Sequence, residues 1–252
     1  MTFNVTADAY TRFMGRFSEP LAVLFAESVG VQAGQRVLDV GCGPGALTAQ
    51  LVERLGADAV SAVDPSSSFV TALRTRFPGV DVRSGVAEQL PFADDSFDAV
   101  LAQLVVHFMT DPVSGLREMA RVTRPGGVVA ACVWDHAGGG SPLTTFWQAV
   151  HDTDPHAVDE AQLAGAREGH LAQLCESASL SQIEPTSLTV KVHFATFDDW
   201  WEPFTLGVGP AGGYTAQLGP AGREILRTQC AELLPPAPFH VAASAWSVRA
   251  RA

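Results

Sequence analysis

A chain of 252 residues, 47% of them apolar, is long enough for one α/β domain with a modest addition, and it lacks the run of about eighteen apolar residues that a bilayer span needs. A formal charge of −11, with Lys191 as the only lysine, argues against nucleic acid and against an anionic membrane surface, both of which ask for basic stripes. The four cysteines Cys42, Cys132, Cys175 and Cys230 are far apart with no CxxC spacing and the first residues show no leader pattern, so no metal, no disulfide and a reduced, cytoplasmic setting are expected.

Residues 1–20 are mixed and aromatic, with Phe3, Tyr10, Phe13 and Phe17 around Met14; residues 21–30 read as a helix closed by Gly30. A regular alternation follows. Strands are predicted at 36–41 (RVLDVG), 59–64 (AVSAVD), 80–85 (VDVRSG), 97–106 and 128–134, the last after a turn at Arg124-Pro125-Gly126-Gly127. Helices are predicted at 46–56, 66–77 and 112–123. Strands that are nearly all apolar, alternating with helices through short loops, imply right-handed crossovers and a parallel sheet covered on both faces.

After Trp134 the rhythm changes. Residues 135–142 read as a flexible loop, 143–179 as mostly helical and 187–194 as a strand. Residues 197–235 read as helices broken by Gly and Pro, and 239–250 as a last strand. The chain divides into an N-terminal lid (1–32), a ligand-binding core (33–134) and a C-terminal part (135–252), in which 197–235 form a helical cap within one domain.

The segment VLDVGCGPG at 37–45 carries the chemistry. A buried strand ends, a helix begins, and the glycines between them permit positive φ and a close ligand approach. In open parallel sheets ligands sit at the carboxyl ends of the strands, and there Asp64 ends the second strand, suited to accept both hydroxyls of a ribose. Gly41, Gly43 and Ala46 also satisfy the dinucleotide pattern GxGxxG/A, a weak match alone. Asp39 tilts the reading: an acid aimed into this loop suits the ammonium of an amino-acid ligand and is unhelpful beside a pyrophosphate.

In order along the chain, VLDVGCGPG, VDPS (63–66), SGVAEQLPFADDSFDAVLAQLVVHF (84–108) and LREMARVTRPGG (116–127) resemble the class I S-adenosylmethionine-dependent methyltransferases, small-molecule group, of the quinone-biosynthesis and natural-product type. The resemblance implies a Rossmann-like, doubly wound α/β fold: seven strands, mostly parallel, the last antiparallel, with a helical cap. It implies S-adenosyl-L-methionine as cofactor and S-adenosyl-L-homocysteine as product. Gly41, Cys42 and Gly43 would hold the methionine part and Asp39 its amino group. Asp64 would bind the ribose, Pro65 or Ser66 the adenine face, and Ala87 and Glu88 the adenine edge. Gln103 and Leu104 would face the methionine moiety, and Tyr10 and Arg16 would close over the cofactor. Val86 departs from the pattern, because that position frequently carries an acid toward the adenine amino group.

His107 is the first candidate for a base and His136 the second, since a histidine suits proton removal near neutral pH; His107 as a structural histidine is the plain alternative. Phe13, Met14, Phe17, Trp134, Trp147, Trp200 and Trp201 either line a substrate pocket or fill core. Cys42 reads more simply as a small buried residue than as a nucleophile. The expected partner is a small, hydrophobic or aromatic acceptor of the methyl group at O, N or C. A nicotinamide oxidoreductase, a non-catalytic cofactor binder and a cofactor-assisted cyclisation are the competing readings.

Overall fold

A computed structural model describes residues 6–252; Phe3 and the rest of residues 1–5 lie outside the described residues. The strands are β1 (Val37–Val40), β2 (Val60–Asp64), β3 (Asp81–Ser84), β4 (Phe97–Gln103), β5 (Thr123–Trp134), β6 (Ser181–Phe194) and β7 (Phe239–Arg251). They form one sheet in the order β3-β2-β1-β4-β5-β7-β6. The first five pair in parallel, and β7 runs antiparallel to both β5 and β6. The expected Rossmann-like arrangement is therefore present.

The helices are α1 (Ala7–Tyr10), α2 (Arg16–Val29), α3 (Ala46–Leu55), α4 (Ser67–Arg76), α5 (Pro112–Val122), α6 (Thr144–Thr153), α7 (His170–Ser177), α8 (Phe197–Trp201), α9 (Gly209–Gln217) and α10 (Pro220–Leu233). Strand residues alternate between two cores because successive side chains point to opposite faces. Val37, Ala62, Leu101 and Ala130 pack with Leu21 and Phe25 of α2, Leu51 of α3 and Leu73 of α4. Leu38, Val63, Val100 and Val129 pack with Leu116 and Met119 of α5 and Leu171 of α7. Strand order reverses between β1 and β4, so the crevice at their carboxyl ends is the topological switch point where such sheets bind ligands.

Four boundaries differ from expectation. The Arg124–Gly127 turn lies within β5 as a break in register: the pairing steps from Phe97 with Thr123 to Ala99 with Val128. Residues 143–179 are helical only at α6 and α7. Strand β6 begins at Ser181 rather than 187, because its polar first half pairs with β7 at the sheet edge, where burial no longer dictates an apolar pattern. The helix expected at 21–30 is α2 and already starts at Arg16, after α1 and a π-helical turn at Thr11–Gly15. Residues 197–235, expected to form a cap, are mostly helical, with Trp200, Trp201 and Phe204 buried.

Candidate active site

The loop after β1 needs its glycines. Gly41, Gly43 and Gly45 take φ of 68°, 53° and 95°, a region that L side chains avoid. A Cβ on Gly41 would run into Val105, and one on Gly45 into Leu73. The N–H groups of Gly41 and Cys42 donate to the Val63 carbonyl at 2.8 and 3.1 Å. Asp64, 6% exposed at the end of β2, accepts from Gly43 N at 2.9 Å and from Ser66 N at 2.8 Å. Burial raises its pKa, and the two backbone donors work in the opposite direction.

Asp39 is buried on β1, and its Oδ2 accepts from Thr48 Oγ1 at 2.6 Å. Burial first pushes its pKa up to about 7. A small cavity beside the loop is bordered by Asp39, Gln103 and Ser18, together with Gly41 to Pro44. Gln103 Nε2 donates to the Ser18 carbonyl at 2.8 Å, while Gln103 Oε1 and Ser18 Oγ have no partner among the described residues. A buried carboxylate and an unpaired amide oxygen around one small space form an acceptor set that a cationic group such as an ammonium would satisfy.

A larger cleft of about 250 Å³ continues from there. It is bordered by Gly41, Gly43, Asp64, Pro65, Ser66, Val86, Ala87, Glu88, Gln103, Leu104 and Tyr10, so most of the residues predicted for the cofactor share one space. Val86 is 45% exposed at the rim, and the Glu88 carboxylate accepts from Thr110 N at 2.7 Å. Phe69, Val105, Phe108 and Met109 complete the walls. The sequence had not singled these out, since apolar residues after a strand look like core.

Tyr10, Leu104 and Phe108 also border a second, apolar pocket of about 40 Å³. Leu104 adopts φ 61° at the end of β4, which turns it between the two spaces. The second pocket is walled by Phe13, Met14, Trp134, Leu143 and Val208, with His107, His136 and Glu160. His107 Nδ1, both ring nitrogens of His136, Trp134 Nε1 and Glu160 Oε2 have no hydrogen-bond partner among the described residues. The two imidazoles lie 5.9 Å apart. Burial holds His107 well below the usual histidine value and His136 down at about 4. Glu160 lay in a stretch expected to be helical, and nothing in its neighbours marked it.

Other candidates lie elsewhere. Arg16 does not border the cleft: Nη1 donates to the Asp199 carbonyl at 2.9 Å and the guanidinium covers the Phe194 ring at 5.0 Å. Phe17 and Trp200 border a minor cavity between the N-terminal segment and the cap, Trp201 is core, and Trp147 faces a polar chamber on the far side of His136. Cys42 is 6% exposed, and burial ahead of Asp39 and Asp64 pushes its thiol well up, which suits a small buried residue and not a nucleophile. Among the described residues no His/Cys/Asp/Glu group could hold a metal, and no helix is long and apolar enough to cross a membrane.

Residues 38–131 match the family described as "Methyltransferase domain". An uncharacterized methyltransferase of Mycobacterium tuberculosis is 41% identical over 135 residues, which cover 54% of this chain and 52% of that one. A demethylmenaquinone methyltransferase of Renibacterium salmoninarum is 37% identical over 144 residues, 57% of this chain and 59% of that one. The chain thus spans about half the length of these curated relatives. A SAM-dependent methyltransferase of Thermotoga maritima shares the fold, with a TM-score of 0.59 at 19% identity over 97% of this chain and 95% of that one.

Proposed function

We propose that this chain, a member of the class I S-adenosylmethionine-dependent methyltransferases, transfers a methyl group to a small apolar, aromatic acceptor. The observation that carries the reading is the pairing of two spaces across Leu104: a polar cleft lined by the glycine loop and Asp64, and an apolar pocket lined by aromatic side chains.

Bound in the cleft, the cofactor supplies a methyl carbon that is already electrophilic on a sulfonium sulfur. Asp39 and Gln103 Oε1 would receive its ammonium, Gly41 to Gly43 its main chain and Asp64 its ribose. A pyrophosphate in the same place would meet two buried carboxylates, which weighs against a nicotinamide cofactor. Val86, Ala87 and Glu88 would border the adenine, and Tyr10 would cover it where it packs on Phe69 at 5.5 Å.

The protein's main task is then alignment, worth roughly 7–11 kcal/mol when two reactants are held in line. Phe13, Met14, Phe108 and Trp134 would hold a flat ring, and the α9 end of the cap would shut out water. His107 and His136, the candidate bases read from the sequence, both border the pocket. The name of the Renibacterium relative directs attention to quinone-type rings as the first acceptors to try.

The test has two arms. S-adenosylhomocysteine at 100 times its Kd is expected to add about 2.7 kcal/mol of stability, and NADH none. Radiolabelled methyl is expected to reach phenols, hydroquinones or related aromatics; labelling confined to polar amino acids would overturn the acceptor class, and protection by NADH alone would overturn the cofactor.

A further inference from the structure

Behind the apolar pocket lies a separate chamber of about 160 Å³, bordered by Ser141, Thr144, Gln148, His151 and Asp159. Its outer part reaches solvent, since the His151 and Asp159 side chains are 36% and 24% exposed, with His151 Nε2 3.7 Å from Asp159 Oδ2. Two residues border both the chamber and the pocket: His136 and Glu160. Glu160 is 2% exposed, its Oε2 makes no hydrogen bond of ordinary geometry among the described residues, and the Trp147 indole beside it acts on the carboxyl as a donor. Among those residues it is also the one carboxylate in the pocket lining. A buried carboxylate between an apolar pocket and a polar outlet, with the Trp147 indole N–H and its own backbone offsetting only part of its desolvation, is costly to keep as structure alone.

We propose that Glu160 takes the proton that an acceptor O–H or N–H gives up on methylation, and that the chamber behind it is the route by which that proton leaves. The inference rests on the reading of the pocket as the acceptor site. In the step, Glu160 Oε2 gains the proton and the acceptor atom bonds to the methyl carbon. The carbon–sulfur bond breaks with its electron pair left on sulfur, so a sulfonium becomes a neutral thioether and a carboxylate becomes a carboxylic acid. The acid then returns its proton to the chamber, where the His151–Asp159 pair leads outward.

The groups facing Glu160 fit this assignment. Burial pushes the carboxyl up to about 7 against the opposing pull of the Trp147 indole N–H and the Glu160 backbone, with the Asp159 charge adding to the rise, so it can take and release a proton near neutrality. His136, on the loop after β5, and His107, after β4, are held too low to retain one. Near neutral pH they are unprotonated and can pass or accept hydrogen bonds, which leaves Glu160 as the proton store.

4-Cyanophenol added at neutral pH to enzyme loaded with sinefungin, the amine analogue of the cofactor, separates the possibilities. Absorbance counts phenolate formed, and calorimetry in buffers of different ionisation enthalpy counts protons released. The wild type is expected to form phenolate while releasing fewer protons than phenolates. In Glu160→Gln that deficit is lost, and Glu160→Asp restores part of it; both variants keep wild-type S-adenosylhomocysteine affinity, which reports an intact fold. A deficit unchanged in Glu160→Gln, or a wild type that binds the phenol without ionising it, overturns the role of Glu160 and leaves the acceptor reading standing. A wild type that does not bind the phenol overturns both.

Discussion

Asp64 and Gly43 are joined across the cleft by a hydrogen bond of 2.9 Å from the glycine N–H to Oδ2, while Oδ1 accepts from Ser66 N at 2.8 Å. The acid that ends β2 therefore fixes the loop that ends β1. It spends one lone pair of each oxygen on the backbone and keeps the others for a ligand. Asp64→Ala removes both the ligand contact and the tether. Hydrogen bonds to charged groups contribute roughly 1.5–3 kcal/mol, so S-adenosylhomocysteine affinity is expected to fall about ten- to a hundredfold. Isothermal titration measures this, and unchanged affinity would remove Asp64 from the site.

Gly41 tests the loop from the other side. Its φ of 68° and the Val105 side chain behind it leave no room for a methyl group. A left-handed residue other than glycine costs roughly 1–2 kcal/mol before the clash is counted. Gly41→Ala is expected to lower Tm and weaken the ligand together. Gly43→Ala, with φ of 53° and open space around its Cβ, is expected to lose less stability but to push a methyl toward the ligand.

The glycine loop, Asp64 and the parallel pairing of the first five strands were legible because each follows from a local rule, whereas the order of the strands in the sheet was not. A buried parallel strand must be apolar, a close-approach turn needs glycine, and short crossovers force neighbouring strands parallel. Arg16 was misplaced because sequence distance says nothing about which way a long side chain turns, and Phe194 with the Asp199 carbonyl captures it. Glu160 was invisible for the same reason. Its significance comes from burial among residues from the β5 loop, α6 and the cap, which only the assembled fold brings together.

Asp39 makes stability depend on pH in a direction opposite to most acids. Its folded pKa of about 7 lies above the ordinary carboxylate value, so the folded chain binds more protons than the unfolded one between about 4 and about 7. Its contribution to stability is thus complete in acid and is lost as pH rises through that window. Asp39→Asn is expected to raise the Tm of the ligand-free protein at pH 8 and to change it little at pH 4. The same substitution removes the counter-charge for an ammonium, so cofactor affinity should fall and lose its rise between pH 5 and pH 8. Thermal scans and titrations across pH check both signs.

His136 works the other way. Its folded pKa of about 4 lies below the usual histidine value, so the unfolded chain takes up the extra proton as pH falls from about 6.5 to about 4. Stability is present above that window and lost within it. His136→Phe, similar in volume and free of the two unpaired ring nitrogens, is expected to soften the acid-induced loss of Tm while leaving Tm at pH 8 nearly unchanged.

The separation of the two spaces by Leu104 predicts that acceptor and cofactor binding can be divided by one substitution. Val208 is 1% exposed and borders the apolar pocket but not the cofactor cleft. Val208→Phe places a ring where an acceptor would lie. Overpacking of this kind costs about 1–3 kcal/mol of stability, so the fold should persist with a lowered Tm. S-adenosylhomocysteine should bind within about twofold of wild type, because an energy change below about 0.4 kcal/mol is all that a twofold change in Kd represents. Methyl transfer to an aromatic acceptor should fall sharply, with KM for the acceptor raised. Equal losses in cofactor affinity and transfer would mean that the two spaces are one site, and that Leu104 does not divide them.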